Sequence, residues 1–334
     1  AWLYEFTRNP HRKYLLRHFR KNTGVLFYQL ISASVFGRIL ERYSGDELYF
    51  YTYWFHHATL MLAFLKKQDK IRSFVSRAHS IDLYNEHWLY AGDRHKPLPY
   101  AWFKMKYIRK VAAISEHGKE HLLKEFPDCR EKISRSYLGV PDNGPGVSLP
   151  LQPFVIASCS NFTGNKRVWL IPEILGGLGK DIRWVHFGSG GNTESQVKKA
   201  AEKFLSPEQV IFAGHVPTAA IMEYYRTHPV HLFMNMSRAE GLPVSIMEAI
   251  SFGIPVIATD VYGTPELLSG GNGFLVSADD PVAKIAGLVD QLRNDAQLHK
   301  KMGEASRKLF LEKFSAGKTY PDFIRKVLHG LSDN

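Results

Sequence analysis

Residues 231–276, HLFMNMSRAEGLPVSIMEAISFGIPVIATDVYGTPELLSGGNGFLV, contain the pattern that decides the fold. This stretch predicts a strand, a loop, a helix, a second strand and a second short helix, in that order. Pro243 stands where a helix tolerates proline, because the first N–H groups of a helix have no internal partner. Gly253 stands just beyond the predicted helix end, where glycine is preferred. The loop 237–242 is therefore predicted at the carboxyl edge of a parallel sheet, where open α/β proteins bind ligands.

Two carboxylates mark this unit, Glu240 in the loop and Glu248 in the predicted helix. The helix start between them offers unpaired N–H groups and the positive end of the helix dipole, which suits a phosphate. Glu240 would then lie beside the group that hangs from the phosphate, and Glu248 could accept hydrogen bonds from vicinal hydroxyls such as those of a ribose. Taken alone, Glu240 is better interpreted as a solvated loop acid and Glu248 as a surface residue of the helix. Together with Gly241 and Pro243 they indicate a ligand site.

The pieces SRAEGLPVSIMEA, GIPVIATD and GTPELL, within residues 237–268, resemble the donor-binding signature of retaining glycosyltransferases of family 4. The resemblance is to members of the bacterial surface-polysaccharide type, which have the GT-B fold. It implies an α/β chain with two Rossmann-like, doubly wound parallel-sheet domains that face a cleft. The E-x7-E pair of the family falls on Glu240 and Glu248. In the family the first acid lies against the donor sugar, and the second holds the ribose.

The resemblance extends to a basic residue and a histidine elsewhere in the chain. Lys166, in NFTGNKRV, matches the family's lysine at the donor diphosphate. The family's arginine position holds the neutral Asn161, so Arg167 or a basic residue of the other domain would compensate. His79 follows the predicted strand IRSFVSRA and matches a histidine that contacts the transferred sugar or its phosphate in the family. Ser80 stands where the family usually has glycine.

The remaining donor-binding predictions are backbone positions. Gly188, in HFGSGG, follows a predicted strand where the backbone must pass close to a ligand. Val216, in FAGHVP, lies in the segment that lines the base in the family, mostly through its backbone. The loop and helix start contribute Gly241, Leu242, Pro243 and Val244.

Metal and cofactor chemistry have no sequence signal in this chain. No Asp-x-Asp pair follows a strand, and no His, Cys and Asp residues have metal-ligand spacing. We therefore predict metal-independent chemistry without a cofactor, with the nucleotide diphosphate sugar as substrate. Cys129 and Cys159 form neither a disulfide framework nor a metal quartet, and we expect buried or idle thiols.

Strand–helix alternation in both halves predicts parallel sheets. The predicted domains are residues 1–145 on the acceptor side, residues 146–315 on the nucleotide-sugar side, and a final helix over residues 316–334. In the resembled fold such a helix crosses back to the first domain. The Pro- and Gly-rich residues 142–153 have the composition of a linker. The first half shows no counterpart of the family's first strand and Gly-rich loop, which predicts a truncated or reduced domain.

The net charge of +11 is concentrated in one half of the chain. Residues 1–150 contain 24 Lys and Arg against 14 Asp and Glu, and the remaining residues contain 19 against 18. A basic half indicates nucleic acid, an anionic membrane surface, an anionic substrate, or simply a solvated face. No nucleic-acid-binding motif accompanies the charge, so we expect no nucleic-acid partner.

Membrane association is expected to be peripheral. Residues 12–21 fit a basic amphipathic helix on an anionic membrane, or a helix packed on the core with a basic outer face. The uncharged residues 22–37 are too few and too polar to predict a membrane span. No signal peptide is recognisable. The sequence thus predicts a cytoplasmic protein that contacts the inner face of the cell membrane.

These observations favour a retaining glycosyltransferase that moves a hexose from a nucleotide diphosphate sugar to a saccharide or lipid-linked acceptor, in cell-surface polysaccharide biosynthesis. Glu240 would contact the donor sugar, Glu248 the ribose and Lys166 the diphosphate, and His79 would reach the site from the other domain. Two alternatives remain open. One is a GT-B hydrolase or epimerase of sugar nucleotides, and the other is a catalytically degenerate GT-B scaffold.

Overall fold

A computed structural model describes residues 1–9, 16, 19–43, 47–84, 100–147 and 150–328. They belong to two compact units, Ala1–Tyr137 with Pro321–Asn334, and Leu138–Tyr320. The division therefore falls before the Pro- and Gly-rich segment and not within it. The physical reason is that this segment is bonded to the second unit. Asp142 forms an ion pair with Arg307 at 2.7 Å, and the amide of Gly146 donates to the carbonyl of Phe252 at 2.9 Å.

The first unit contains a four-stranded sheet in the order β1-β2-β3-β4, in which all neighbours are parallel. Its strands are β1 (Phe50–Thr52), β2 (Phe74–Ala78), β3 (Lys110–Ala113) and β4 (Ile133–Arg135). The described helices before residue 137 are α1 (Trp2–Arg8), α2 (Phe19–Leu40), α3 (His57–Lys67), α4 (Ser80–Leu83), α5 (Ala101–Tyr107) and α6 (Glu116–Glu125). Every residue of β2 is buried, as expected for a central strand of a parallel sheet.

The second unit contains a six-stranded parallel sheet in the order β10-β9-β8-β5-β6-β7. Its strands are β5 (Phe154–Cys159), β6 (Ile182–Phe187), β7 (Val210–Gly214), β8 (Leu232–Asn235), β9 (Val256–Thr259) and β10 (Gly273–Val276). Its helices are α7 (Leu170–Leu175), α8 (Glu194–Phe204), α9 (Thr218–Thr227), α10 (Val244–Ser251), α11 (Thr264–Leu267), α12 (Val282–Asn294) and α13 (Ala296–Leu309). The strand order reverses between β5 and β8, which is where doubly wound sheets bind ligands.

The last described elements are a π-helical turn (Phe310–Phe314), helix α14 (Ala316–Phe323) and a second π-helical turn (Ile324–Leu328). Phe323 and Val327 pack against Val75 of β2 and Ala112 of β3. The last described residues therefore contribute to the core of the first unit.

Helix α2 corrects one expectation from the sequence. With the 3-10 turn that follows it forms a 25-residue segment, Phe19–Tyr43, with a mean hydropathy of 1.3 over its most apolar window. By length and composition it could cross a membrane, so the expectation that no segment is long and apolar enough was wrong. The sequence analysis considered only the uncharged residues 22–37, because charged residues flank them. One or two charges hardly lower the mean hydropathy of a longer helix. Most of the basic segment at residues 12–21 lies outside the described residues.

Candidate functional site

The segment that follows β8 has the predicted form. Strand β8 ends at Asn235, and α10 begins after Pro243, which is its N-cap residue. Gly253 has φ +78°, the left-handed conformation that glycine adopts readily just beyond a helix end. The Asn235 side chain accepts a hydrogen bond from the amide of Ser237 at 3.0 Å and fixes the start of the loop. Glu240 is only 7% exposed, so this loop does not present a solvated acid.

The loop after β5 packs directly on the loop after β8. Asn165 accepts a hydrogen bond from the amide of Arg238 at 2.8 Å through its backbone carbonyl. Its side-chain amide donates to the carbonyl of Ala239 at 3.0 Å. Because β5 and β8 are neighbouring parallel strands, their following loops emerge at the same edge of the sheet. The structure thereby brings together residues that are 74 positions apart in sequence.

Lys166 and Glu240 form an ion pair at this contact, in which the Lys166 ammonium donates to Glu240 Oε1. The side chain of Glu240 is 9% exposed and that of Lys166 is 29% exposed. Each charge compensates the other for lost hydration, and a nearly buried carboxylate needs such a partner. The two side chains are in contact, as action at one site requires. Their catalytic roles stay predictions.

Arg167 is buried and its guanidinium is directed at the protein itself. Its Nε donates to the carbonyl of Met236 at 2.7 Å, and Nη1 donates to the carbonyl of Ala278 at 2.7 Å. These bonds tie together the loops after β5, β8 and β10. The geometry therefore gives Arg167 a role in positioning the loop that carries Lys166, and its proposed contact with a diphosphate stays a prediction. Asn161 lies on the exposed part of the same loop.

Glu248 borders a second part of the site. It is half-buried on α10, and burial raises its pKa to about 7. A cavity of about 360 Å³ lies beside it. Apolar side chains from residues 140–141 and from α9 form much of the lining, which comprises Val140, Pro141, Asn143, Thr218, Ala219, Met222, Glu223, Arg226 and Glu248. A partly apolar cavity with charged side chains at its margin is suited to a flat heterocycle joined to a polyol.

Cys159, at the end of β5, lies between the two parts. Burial, followed by the charge of Glu248, raises the pKa of its thiol to about 11, while the charge of Lys166 lowers it. The thiol therefore lies within electrostatic reach of both side chains. A thiol with so high a pKa is unreactive at neutral pH, in agreement with its expected idle role.

Gly188 is required by close backbone packing. It has φ +127°, and a Cβ atom there would lie 2.1 Å from the carbonyl oxygen of Ser160. The amide of Gly188 donates to the carbonyl of Gly214 at 2.8 Å, so the turns after β6 and β7 are also joined. Val216, two residues beyond Gly214, is half-buried at the start of α9. Any larger residue at position 188 would push the loop after β5 away from its position.

His186 supports the same loop and was not recognised from the sequence. It is fully buried and hydrogen-bonds to Ser158 Oγ at 2.8 Å and to the carbonyl of Ser160 at 3.0 Å. Burial lowers its pKa to about 4, so the imidazole is neutral. The ring of Phe162 stacks on it with a centroid distance of 4.7 Å. The only sequence signal was its place at the end of a strand, which a core histidine shares.

His79 lies in the first unit, at the end of β2 and directly before α4. It is 8% exposed, and its ring contacts those of Tyr53 and Trp54. Burial, followed by the charge of Arg77, lowers its pKa to about 4, so the side chain is neutral at physiological pH. Its predicted contact with the transferred sugar stays a prediction.

Comparisons with known proteins point to one family. Residues 145–309 match the family "Glycosyl transferases group 1". The O-antigen biosynthesis glycosyltransferase WbnH of Escherichia coli is 35% identical over 33% of this chain and 30% of its own. The amylovoran biosynthesis glycosyltransferase AmsK of Erwinia amylovora is 28% identical over 50% of this chain and 44% of its own. The matched segments thus span less than half of either relative.

A solved structure extends the similarity to both units. The crystal structure of Anabaena Alr3699/HepE in complex with UDP has a TM-score of 0.70 over 89% of this chain and 82% of that chain. The two sequences are 16% identical, so this similarity concerns the fold. The predicted GT-B class, with two parallel-sheet α/β units, is confirmed.

Proposed function

We propose that this chain transfers a hexose from a nucleotide diphosphate sugar to a saccharide or lipid-linked acceptor in cell-surface polysaccharide biosynthesis, because residues 145–309 match the family "Glycosyl transferases group 1". The observation that carries the proposal is the Lys166–Glu240 ion pair at the point where the strand order of the sheet reverses, with Glu248 on the helix that follows the loop. The relatives WbnH and AmsK, which are named for O-antigen and amylovoran biosynthesis, support the polysaccharide class of product.

Departure of a nucleoside diphosphate is the step that needs stabilisation, because negative charge develops on the leaving oxygen. The Lys166 ammonium lies at the edge of the sheet where the first amides of α10 are also found. A cation and a helix N-terminus are both suited to that charge. The bond between the anomeric carbon and the diphosphate oxygen breaks, and the acceptor oxygen takes its place. The acceptor proton passes to the departing diphosphate. Attack on the face that the leaving group vacates retains the configuration.

Glu240 changes partner when the donor binds. In the structure its carboxylate accepts from Lys166. A diphosphate competes for that ammonium, and the carboxylate can then accept hydrogen bonds from hydroxyls of the donor sugar. Because the loop that holds Glu240 is buried and bonded to the loop after β5, this exchange needs rotation of side chains and not movement of the backbone.

Glu248 accepts the ribose hydroxyls, and the cavity beside it accepts the base. The cavity contacts residues 140–143, which are bonded to the second unit through the Asp142–Arg307 ion pair. Val216 lies just before the helix that supplies much of the cavity wall. The metal-independent and retaining character of the reaction remains part of the proposal.

A product assay tests the proposed function. The protein is incubated with UDP-, GDP- and ADP-hexoses, with and without bacterial lipid-linked saccharides. We expect release of the nucleoside diphosphate only when an acceptor is present, and a new glycosidic bond of retained configuration by NMR. Free hexose or an epimerised sugar nucleotide without acceptor would instead identify a hydrolase or an epimerase. Nucleotide binding without any turnover would identify a scaffold.

Peripheral contact with an anionic membrane, at its cytoplasmic face, is supported by the orientation of α2. Its buried residues are small or polar, namely Asn22, Gln29, Ala33 and Gly37. An apolar stripe at four-residue spacing, formed by Phe27, Ile31, Val35 and Ile39, is exposed to solvent by 43–65% per residue. The exposed basic residues Arg20, Lys21, Arg38 and Arg42 lie at both ends. A helix with an outward apolar stripe and basic ends is suited to lie on an anionic bilayer.

Liposome flotation tests this contact. We expect the protein to float with vesicles that contain phosphatidylglycerol, and expect the F27S/I31S variant to lose most of this binding, because apolar area contributes directly to partitioning. The matched control is Ile211→Ser, since Ile211 is 50% exposed on β7 of the second unit. Equal flotation of F27S/I31S and wild type would refute the role of α2.

A further inference from the structure

The first unit, which the resemblance places on the acceptor side, carries an open aromatic groove to which neither the resemblance nor the related proteins assign a ligand. The groove has a volume of about 650 Å³, and its larger lining side chains are Tyr51, Tyr53, Trp54, His56, His57 and Ile81. It follows β1 directly, at the carboxyl edge of the four-stranded parallel sheet. This edge is where parallel α/β sheets bind ligands.

Two exposed aromatic rings dominate the groove. Tyr53 is 47% exposed and Trp54 is 46% exposed, although such large rings are usually mostly buried. Both rings rest on the imidazole of His79, with centroid distances of 4.4 Å from Tyr53 and 5.0 Å from Trp54. The His79 and Trp54 planes are 24° apart, which is a stacked arrangement. The two rings are therefore supported from beneath and form a fixed platform.

The base of the groove is held by buried hydroxyl groups. Thr52 on β1 hydrogen-bonds to Thr59 on α3 at 2.8 Å, and donates to Ser76 on β2 at 2.8 Å. These bonds join the end of β1 to the next strand and to the helix that follows the groove. The turn that carries Tyr53 and Trp54 thus starts and ends at fixed points, which favours a preformed binding surface.

Polar atoms beneath the rings lack partners within the protein. Among the described residues, His79 Nε2 and Asp82 Oδ1 are buried without a hydrogen bond. Asp82 Oδ2 accepts from the amides of His79 and Phe55, so the carboxylate is fixed in place. Buried polar atoms without a partner are uncommon in native proteins and often mark a functional site.

The lining also indicates the charge of the ligand. None of the described residues that line the groove is Asp, Glu, Lys or Arg. A phosphorylated or carboxylated ligand would find no fixed counter-charge there. A neutral ligand ring with one apolar C–H face can stack on the aromatic side chains of the groove. Its polar edges can then hydrogen-bond to the phenol and imidazole groups around them.

We propose that the aromatic groove binds a neutral pyranose unit of the saccharide acceptor, with its C–H face on Tyr53 and Trp54 and its hydroxyls toward the histidines. The identification of this saccharide as the acceptor rests on the proposed glycosyltransferase function. Binding of the saccharide itself does not require the donor. The groove would then determine which sugar the protein extends.

The test uses a soluble, neutral oligosaccharide from the product class, without nucleotide, and follows its binding by saturation-transfer NMR. We expect Trp54→Ala to weaken binding at least tenfold, and expect Trp54→Phe to recover part of it, because stacking needs an aromatic face. In turnover the same variants should raise KM for the acceptor more than KM for the donor. Tyr43→Ala is the matched control, since Tyr43 is 49% exposed outside the groove.

The outcomes separate this proposal from the proposed function. Unchanged saccharide binding in Trp54→Ala would overturn the groove assignment. So would wild-type protein that binds a nucleoside diphosphate but no saccharide, and in that case the donor site would stand. A change in the nucleotide affinity of Trp54→Ala would show a general loss of structure. In that case, saccharide binding by Trp54→Phe, provided its nucleotide affinity is normal, decides the groove assignment.

Discussion

Replacement of Lys166 by methionine is expected to lower kcat for sugar transfer by about 10²–10³-fold. The structure places the Lys166 ammonium beside Glu240, where the strand order of the sheet reverses. Loss of one preordered charge-stabilising group typically has an effect of this size. The expected change is in kcat more than in KM, because charge on the diphosphate increases as the bond breaks. The measurement is steady-state release of nucleoside diphosphate in the presence of acceptor.

The ion pair offers an internal control for this result. Lys166→Met alone leaves the nearly buried Glu240 carboxylate without its cation, which should also lower stability. The K166M/E240Q double variant removes both charges, and we expect its melting temperature to return toward that of the wild type while activity stays low. Lys199→Ala, at an exposed position on α8, should leave both properties unchanged. A double variant that regains activity together with stability would show that the pair is only structural.

Replacement of Glu248 by glutamine is expected to weaken nucleotide binding and to stabilise the free protein above neutral pH. A hydrogen bond to a charged group contributes about 1.5–3 kcal/mol, so we expect a loss of affinity of about 10- to 100-fold. Wild-type affinity should rise as the pH passes through 7, because only the carboxylate accepts both ribose hydroxyls. Affinity of the variant should not depend on pH in this range. Titration calorimetry from pH 5.5 to 8.5 measures both effects.

The stability of the free protein has the opposite dependence on pH. Burial raises the pKa of Glu248 from 4.5 to about 7, so between these values the folded protein holds a proton that the unfolded chain has lost. The contribution of this residue to stability is therefore present below pH 4.5 and is lost as the pH rises to 7. In denaturant unfolding, the free energy of unfolding of Glu248→Gln relative to that of the wild type should increase between pH 4.5 and 7 and stay constant above pH 7. The same pH dependence in both proteins would contradict a buried acid.

The sequence predicted the strand, loop and helix that carry Glu240 and Glu248 well. Pro243 and Gly253 bound a short helix, and that is enough to place Glu240 and Glu248 at the edge of a parallel sheet. Contact between Lys166 and Glu240 also follows once β5 and β8 are neighbours, because their loops then emerge together. These features depend on turn residues and strand order, which can be predicted from sequence patterns.

Other features depend on packing and could not be predicted. Arg167 has φ +47° and directs its guanidinium inward, so a residue that looked free to bind phosphate holds three loops together. The wall of the Glu248 cavity comes partly from residues 140–143, which are held by an ion pair with Arg307. Helix α2 has its apolar stripe outward, against the usual rule for surface helices, so its amphipathic pattern alone does not identify its buried face.

The most direct test of the central claim is nucleotide binding at the site formed by Lys166, Glu240 and Glu248. The melting temperature is measured with UDP, GDP and ADP for the wild type, Glu248→Gln and the surface control Glu202→Gln. A ligand that binds only the folded state raises the midpoint. The account predicts a rise with one base class in wild type and Glu202→Gln, and little or none in Glu248→Gln. No rise with any nucleotide, or an equal rise in Glu248→Gln, would contradict it.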